Sequence, residues 1–455
     1  MRSILIIGAG KSTSTLVRFL LDQSNTQNFT LTIADKDLTS AQKLTNNHPN
    51  ASSIVLDIFK AEERQAAIQD ADIVISMLPA RFHVEVAQDC VKFNKNMVTA
   101  SYVSKDMEAL NADVKRKGLT FMNEIGVDPG IDHMSAMQVI DRIRSKGGKM
   151  LLFESFTGGL VAPESDDNLW NYKFTWNPRN VVVAGQGGAA EFIQEGQYKY
   201  IPYQRLFRRT EFLQIPQYGR FEGLANRNSL AYRSIYGLEN IPTIYRGTLR
   251  RIGFSKAWNV FVQLGMTDDS YSMQNTEHMS YRSFVNSFLP YSPTDSVELK
   301  LRLSLKIDQD DLIWDKLVEL DIFNPNKKIG FKNATPAQAL QKILEDKWTL
   351  KPEDKDMIVM YHKFGFELNG EKKQIDSTMV SIGEDQTYTA MAKTVGLPVG
   401  IAALKILNGE INKPGVLRPI YPEIYDPILK ELEEYNIKFE ESEREYLGYN
   451  PDQLT

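Results

Sequence analysis

Short apolar runs alternate with helical stretches along roughly the first quarter of this 455-residue chain. Each run has the length of a strand, and aliphatic, β-branched runs of this kind are typical of strands buried on both faces. The predicted strands are residues 4–7, 31–34, 53–56, 73–76, 97–100 and 119–123, and the predicted helices are 13–21, 40–46, 61–68, 82–93 and 105–117. Strands and helices in this order predict an α/β fold with a doubly wound parallel sheet.

The first predicted strand leads into a glycine turn, Gly8-Ala9-Gly10-Lys11-Ser12-Thr13. Two glycines allow a turn that is too tight for a Cβ atom, and the following helix directs its unpaired N–H groups at one point, which suits a pyrophosphate. Thr13 stands where the G-x-G-x-x-G pattern has its third glycine, so the turn alone is a weak signal.

The second predicted strand ends in Asp35, near the spacing expected for a ribose-binding acid. Turn, helix, strand and acid together predict a Rossmann-type dinucleotide-binding unit; the alternative is an ordinary glycine-turn βαβ unit that binds no nucleotide. Asp35 favours NAD, because a carboxylate accepts hydrogen bonds from the ribose hydroxyls and repels the 2′-phosphate of NADP. Lys36 acts in the opposite direction, and we expect Asp35 to prevail.

The pattern changes near residue 150. Longer strand-like segments, such as 149–156 and 296–307, and many aromatic residues and arginines predict an inserted α+β domain with a mostly antiparallel sheet. Small and apolar residues from 390 to 407 suit close helix packing against the first domain, and the acidic stretch 431–445 predicts a solvated helix. The expected parts are a dinucleotide-binding domain (1–148), a substrate-binding and dimerisation domain (149–385) and a helical segment (386–455).

Composition narrows the function classes. The formal net charge is −5 with no basic block, which argues against a nucleic-acid partner. The single cysteine, Cys90, excludes an internal disulfide and a thiolate metal cluster, and we expect it to be a small buried apolar residue within a helix. The five histidines show no metal-ligand spacing, so we expect no metal. With no visible signal peptide or membrane span, we expect a cytoplasmic protein that does not bind membranes.

Three loops follow predicted strands at the edge where parallel sheets bind ligands: residues 76–79, 101–102 and 126–130. Within them Asp128 is the carboxylate that precedes a Pro-Gly pair. It could orient a substrate amine or transfer a proton. Alternatively, Asp128 caps the helix that begins near Ile131, and the two roles are compatible.

Arg227 and Arg250 in the second domain are candidate carboxylate clamps, because a planar guanidinium group binds a carboxylate through two hydrogen bonds. The alternative for each is a solvated surface side chain.

In this order, these features resemble the glutamate-forming saccharopine dehydrogenases, also called saccharopine reductases. The resemblance extends from residue 1 to about residue 435, and the segments around Asp128 and Arg250 are more specific than the glycine turn. The segments that carry it are residues 8–13, 76–79, 98–102, 123–133, 158–159, 162–165, 172–176, 246–250 and 392–398.

The resemblance implies an NAD(P)-dependent oxidoreductase of lysine metabolism that acts on a CH–NH group. Saccharopine is oxidised at the carbon of its lysine arm that is bonded to the secondary amine, hydride passes to the nicotinamide, and water releases aminoadipate semialdehyde and glutamate. These small molecules are the expected partners, and we expect a homodimer. Saccharopine carries three carboxylates, which agrees with the two candidate clamps.

The resemblance also implies roles for individual residues. Asp128 and Lys173 are expected near the reacting amine and, with Tyr102, are the catalytic candidates. The expected substrate contacts are Ser101, Tyr102, Arg227, Thr248, Leu249 and Arg250. The expected contacts with NAD or NADP are Gly8, Gly10, Lys11, Ser12, Thr13, Asp35, Lys36, Asp57, Leu78, Pro79, Ala100, Val127, Pro129 and Thr175.

The chain departs from the family pattern at a few positions. Thr157 stands where relatives usually have a cysteine, so the chemistry here does not require a thiol. Ala225 and Asn228 flank Arg227 where a proline and an aspartate are usual, and Leu169 replaces a proline.

Two other functions compete. One is a related amine dehydrogenase, such as the enzyme that makes carboxynorspermidine, and retention of both Arg227 and Arg250 favours the substrate with more carboxylates. The other is a non-catalytic dinucleotide sensor whose second domain binds a partner, against which Asp128 and Lys173 argue.

Overall fold

The computed structural model describes residues 1–446 and 448. Sixteen strands occur within them: β1 (Arg2–Ile7), β2 (Phe29–Asp35), β3 (Ala51–Val55), β4 (Ile73–Ser76), β5 (Asn96–Val98), β6 (Thr120–Met122), β7 (Lys149–Val161), β8 (Ala190–Gln194), β9 (Gln197–Ile201), β10 (Thr210–Ile215), β11 (Gly219–Ala225), β12 (Thr243–Arg251), β13 (Asp356–Leu368), β14 (Glu371–Ile382), β15 (Gly415–Leu417) and β16 (Glu440–Glu445).

The same residues contain seventeen α-helices: α1 (Ser14–Gln27), α2 (Leu38–Thr45), α3 (Ala61–Gln69), α4 (His83–Phe93), α5 (Lys105–Ala109), α6 (Asn111–Arg116), α7 (Ile131–Ser145), α8 (Pro178–Val182), α9 (Tyr203–Leu206), α10 (Tyr232–Ile235), α11 (Phe254–Leu264), α12 (Tyr281–Asn286), α13 (Val297–Leu305), α14 (Leu312–Glu319), α15 (Pro336–Trp348), α16 (Ala390–Leu407) and α17 (Pro422–Glu434). Short 3₁₀ helices lie at Lys11–Thr13, Ala80–Phe82 and Pro163–Ser165.

The chain forms two compact units. The first comprises residues 1–149, 368–371 and 379–441, and the second comprises 150–367, 372–378 and a last segment that begins at Ser442.

The first unit contains a seven-stranded sheet in the order β15-β6-β5-β4-β1-β2-β3. All of its strand pairs are parallel, so the predicted doubly wound sheet is confirmed. The strand order reverses between β1 and β4, and the carboxyl ends of strands at such a point are where ligands bind in open α/β sheets. The sequence predicted six of the strands; β15, only three residues long, comes from the C-terminal region and pairs with β6.

Helix α16 packs closely on α1 within the first unit, as predicted. A Cβ atom at Gly396 would lie 2.7 Å from the backbone nitrogen of Leu16, and one at Gly400 would lie 2.6 Å from the ring of Phe19. Among the described helices, α16 is long and apolar enough to cross a membrane, yet 72% of it is buried inside the protein. This burial is typical of a core helix.

The second unit is built on a nine-stranded sheet. Its main path runs β10-β11-β12-β7-β13-β14-β16, and β8 pairs with β12 and β9. The sheet is mixed, because β7 and β12 run parallel while β10–β11, β11–β12 and β8–β9 are antiparallel. An aromatic cluster fills the core, in which the Trp170 ring lies 5.6 Å from Phe254 and 5.2 Å from Trp348.

The prediction of a strand at residues 296–307 is wrong. Apolar residues alternate there with the period of a strand, but the segment forms α13, and the Ser296 side chain caps it by accepting a hydrogen bond from the Leu299 N–H group at 3.2 Å. The leucines are strong helix formers, and a serine cap favours helix initiation. Leu299 and Leu303 consequently lie exposed on the helix, with 40% and 64% of their surface accessible.

Two helix predictions also need correction. The acidic stretch 431–445 is not one helix, because α17 ends at Glu434 and the chain becomes extended again in β16. Glu443 and Arg444 there form ion pairs with Lys373 and Asp376, at 3.2 Å and 2.7 Å. The predicted helix at 105–117 is divided at Leu110 into α5 and α6.

Candidate functional site

The glycine turn has the shape that a pyrophosphate requires. Gly8 has a φ of +112°, and a Cβ atom there would lie 2.7 Å from the carbonyl oxygen of Met77, so both conformation and space demand glycine. At Gly10, by contrast, an added Cβ would meet no atom within 4 Å. The backbone of the turn therefore faces open space in front of α1, and these residues fit the phosphates of a dinucleotide.

Thr13 supports this turn from inside. Its side chain is buried, with 1% exposed, and its hydroxyl donates a hydrogen bond to the Gly8 carbonyl oxygen at 3.3 Å. The predicted contact between the Thr13 side chain and the dinucleotide is therefore not supported. Lys11 is exposed and Ser12 is partly exposed, so their side chains are accessible to a ligand.

Asp35 connects the end of β2 to the glycine turn. One carboxylate oxygen accepts a hydrogen bond from the Ala9 N–H group at 2.7 Å, and the other accepts from the Asp37 N–H group at 2.9 Å. The carboxylate is thereby fixed beside the turn while remaining partly accessible, and the neighbouring Lys36 is exposed. This position suits the adenosine ribose hydroxyls.

The other predicted dinucleotide contacts of the first unit differ in accessibility. Asp57, Leu78 and Ala100 are partly exposed and Pro79 is exposed, whereas Val127 and Pro129 are buried. Because Val127 and Pro129 are buried, their main role is to shape the loop at residues 126–130.

His83 joins the ends of β4 and β5. Its Nδ1 atom lies 2.8 Å from the Ser76 hydroxyl, and its Nε2 atom lies 2.7 Å from the Ser101 hydroxyl. Burial lowers the pKa of His83 to about 4, so the imidazole is neutral at neutral pH. A rigid, uncharged side chain thus sets the position of Ser101, a predicted substrate contact.

Glu124 connects the loops that carry Ser101 and Asp128. It is 2% exposed, and its carboxylate accepts a hydrogen bond from the Val103 N–H group at 3.0 Å and pairs with His133 at 2.8 Å and Arg418 at 2.9 Å. Burial alone would raise the pKa of Glu124, but these two partners outweigh it and the pKa is lowered. Its φ of +54° is unusual for a residue other than glycine, and such strain is concentrated at functional sites.

Tyr102 and Asp128, two of the catalytic candidates, lie together. The Tyr102 hydroxyl donates a hydrogen bond to Asp128 Oδ1 at 3.3 Å. The N-cap of α7 is Gly130 rather than Asp128, so the capping interpretation is wrong. Asp128 remains partly exposed.

Arg250 and Arg227 line one cavity of about 50 Å³ in the second unit. Thr248, Phe254 and Trp258 also line it. Arg250 is 9% exposed, lies 5.0 Å from the Tyr172 ring centroid, and forms no ion pair with any described residue. A buried cation without an anion is costly, so this cavity is suited to a carboxylate.

The backbone at Arg227 is strained. Its φ is +32°, its carbonyl oxygen accepts a hydrogen bond from the Glu191 N–H group at 2.7 Å, and its side chain is exposed. Among the described residues the guanidinium has no ion-pair partner, so it is available to a ligand.

Two buried hydroxyl groups of the second unit lack partners. The side-chain oxygens of Thr157 and Thr175 are buried and form no hydrogen bond with a described residue. Thr157 pairs with Thr248 in the register of β7 and β12. Buried polar groups normally have partners, so these hydroxyls are candidates for ligand contacts.

The structure gives two predicted residues different surroundings from those expected. Lys173 is 1% exposed, and its ammonium pairs with Asp354 at 2.7 Å and Asp167 at 2.8 Å, which leaves a ligand little access to it. Leu249 is fully buried, on the face of β12 opposite Thr248 and Arg250, so a side-chain contact with substrate is not supported.

Two family models cover most of the chain. Residues 4–122 match the saccharopine dehydrogenase NADP binding domain, and residues 126–437 match the saccharopine dehydrogenase C-terminal domain. The chain belongs to the saccharopine dehydrogenase family.

Relatives within the family match nearly the whole chain. The L-glutamate-forming, NADP(+) saccharopine dehydrogenase of Saccharomyces cerevisiae is 32% identical over 97% of this chain and 99% of its own. The solved apo structure of a saccharopine dehydrogenase (L-Glu forming) from that yeast superposes with a TM-score of 0.89 at 31% identity, and it covers 98% of this chain and 100% of its own. The mitochondrial α-aminoadipic semialdehyde synthase of Mus musculus is 33% identical over 96% of this chain and 47% of its own.

For this saccharopine dehydrogenase family member, sequence reasoning missed His83, Glu124 and Tyr172. Glu124 and Tyr172 lie within segments that carry the resemblance, whereas His83 follows one of them, and no local pattern distinguishes any of the three from core residues. Cys90 was interpreted correctly: it is buried in α4, and burial raises the pKa of its thiol. Within the described residues, no group of three His, Cys, Asp or Glu side chains could hold a metal ion.

Proposed function

We propose that this chain is an NAD(P)-dependent, L-glutamate-forming saccharopine dehydrogenase, which interconverts saccharopine with aminoadipate semialdehyde and glutamate. The observation that carries the proposal is the cavity containing Arg250 and Arg227, whose guanidinium groups form no ion pair with any described residue. Family membership and the names of the relatives agree with a substrate that carries several carboxylates.

The chain's own residues supply binding and proton chemistry. Arg250 and Arg227 bind substrate carboxylates, and the buried hydroxyl of Thr157, which pairs with the cavity-lining Thr248 in the sheet register, hydrogen-bonds groups that enter the same part of the second unit. When bound, the nicotinamide accepts or donates hydride. Asp128, assisted by the Tyr102 hydroxyl, orients the secondary amine and exchanges its proton.

Asp35 leads us to propose that NAD is preferred. The Saccharomyces cerevisiae relative is named as an NADP(+) enzyme, but in this chain the Asp35 carboxylate is fixed beside the turn, where it would repel a 2′-phosphate.

We propose further that the protein is a cytoplasmic homodimer that does not associate with membranes, and that residues 1–148, 149–385 and 386–455 act as its functional parts. Size measured by light scattering at several protein concentrations would test the dimer.

The activity assay follows the absorbance of the reduced cofactor. We expect NADH to appear with saccharopine and not with carboxynorspermidine. Turnover of carboxynorspermidine alone would support the related amine dehydrogenase. Cofactor binding without turnover of either compound would support the dinucleotide sensor.

A further inference from the structure

An exposed aromatic pair lies in the first unit near the cofactor residues. The side chain of Phe59 is 73% exposed, and its ring centroid lies 5.2 Å from that of Phe82 at a right angle. The second ring of the pair, Phe82, has the Arg81 guanidinium 4.6 Å from its centroid. Neither the family resemblance nor the proposed function gives these three residues a role.

Both rings lie beyond the carboxyl ends of parallel strands. Phe59 is four residues after the end of β3, and Phe82 is six residues after the end of β4. In the sheet order β4-β1-β2-β3, the strands between them are β1, which leads into the glycine turn, and β2, which ends in Asp35. The aromatic contact therefore links the two loops that flank the residues predicted to bind phosphates and ribose.

Local hydrogen bonds order both loops. The Phe59 N–H group donates a hydrogen bond to Asp57 Oδ1 at 3.0 Å, and the Phe82 N–H group donates to the Pro79 carbonyl oxygen at 2.9 Å. Asp57 and Pro79 were predicted to contact the cofactor; Asp57 here orders the segment that presents Phe59.

An aromatic ring that is 73% exposed contributes little to the core, and its apolar face is accessible to a ligand. The perpendicular arrangement leaves a face of Phe59 open to a flat partner. Aromatic faces stack on nucleobases, and in a dinucleotide the adenine is bonded directly to the ribose that Asp35 addresses.

We propose that Phe59 and Phe82 form the binding surface for the adenine ring of the dinucleotide, with Arg81 supporting the Phe82 ring. The proposal rests on the dinucleotide binding contained in the proposed function. It assigns the adenine end of the cofactor to residues that neither the glycine turn nor Asp35 identifies.

The test measures binding of the two halves of the cofactor separately, by calorimetry with 5′-AMP and with reduced nicotinamide mononucleotide. We expect Phe59→Ala to weaken binding of 5′-AMP and NADH about 5- to 150-fold, since base–aromatic stacking is worth about 1–3 kcal/mol, and to leave binding of the mononucleotide unchanged. Phe59→Trp keeps an aromatic face and should restore 5′-AMP binding. Tyr291→Ala, which removes a 91% exposed aromatic ring in the second unit, is the matched control. It should change the affinity for neither 5′-AMP nor reduced nicotinamide mononucleotide.

Unchanged 5′-AMP affinity in both Phe59→Ala and Phe82→Ala would overturn the proposal, as would equal weakening of both halves. If the unmodified protein binds none of 5′-AMP, NADH and NADPH, the proposed function itself fails. The two failures are distinguishable because the second appears before any substitution is made.

Discussion

The hydroxyl of Tyr102 donates a hydrogen bond to Asp128 Oδ1 at 3.3 Å, although 26 residues separate the two along the chain. Tyr102 follows β5 and Asp128 follows β6, and these strands are neighbours in the parallel sheet. Strand pairing therefore brings a phenol and a carboxylate together at the ligand-binding edge. Glu124 links the same two loops by accepting a hydrogen bond from the Val103 N–H group.

Asp128→Asn should lower kcat by a factor within about 10²–10⁴, because the amide keeps the size of the side chain but loses the charge and the ability to accept a proton. Tyr102→Phe should have a smaller effect in the same direction. Steady-state kinetics with saccharopine, with kcat measured across pH, checks both. A kcat and pH profile unchanged in Asp128→Asn would exclude Asp128 from the chemical step.

Arg250→Ala and Arg227→Ala should each lower kcat/KM for saccharopine, mainly by raising KM, while KM for the nucleotide stays constant. Hydrogen bonds to charged groups are worth about 1.5–3 kcal/mol, which corresponds to roughly 10- to 150-fold. Arg208→Ala, at an exposed arginine of the same unit, is the control. If both variants keep the KM for saccharopine of the unmodified protein, Arg250 and Arg227 do not bind the substrate.

Asp35→Ser should move the cofactor preference toward NADP by one to two decades, since the repulsion of the 2′-phosphate and a charge-assisted bond of about 1.5–3 kcal/mol are both lost. The ratio of kcat/KM for NAD and NADP is measured in both proteins. Because Asp35 also accepts the Ala9 N–H hydrogen bond, thermal stability is recorded in parallel. An unmodified protein that prefers NADP would contradict the assignment.

His83→Asn should raise KM for saccharopine several-fold, because asparagine is too short to bridge Ser76 and Ser101. If His83 acts through Ser101, then His83→Asn combined with Ser101→Ala should be no worse than Ser101→Ala alone. The pKa of His83 is lowered to about 4, so its substitution should leave the pH profile between about 6 and 9 unaltered. If the effects of the two substitutions on KM add in the double variant, His83 does not act through Ser101.

Glu211→Gln should stabilise the protein at pH 8 more than at pH 5. Burial, reinforced by Glu154, raises the pKa of Glu211 to about 7. The native state therefore holds this proton more tightly than the unfolded chain, so stability decreases as pH rises from about 4.5 to about 7 and the full deficit is present above that range.

The expected gain for Glu211→Gln at pH 8 is on the order of 1–3 kcal/mol in the free energy of unfolding, measured by denaturant titration at both pH values. Glu239→Gln, at an exposed glutamate, is the control and should change little. Equal stabilisation at the two pH values would show that charge at Glu211 is not the cause.

Local patterns in the sequence were enough to predict the parallel sheet and the glycine turn. An apolar run of strand length and a glycine that needs a φ of +112° are short-range requirements, so Gly8 and the six predicted strands can be read from neighbouring residues. The same local reasoning failed at residues 296–307, where alternating leucines have the period of a strand but the Ser296 cap and leucine's helix propensity give α13.

Only the tertiary structure decided which side chains meet. Arg418 reaches Glu124 across 294 positions, and β15 joins the sheet beside β6 from a similar distance along the chain. Tertiary packing also buries Lys173 between two carboxylates and leaves Arg250 without one. The sequence by itself determined which residue types were present for this chemistry. The burial and pairing of these residues set their charge state and their access to ligand. Both arise from contacts between segments that are distant along the chain, which no local pattern encodes.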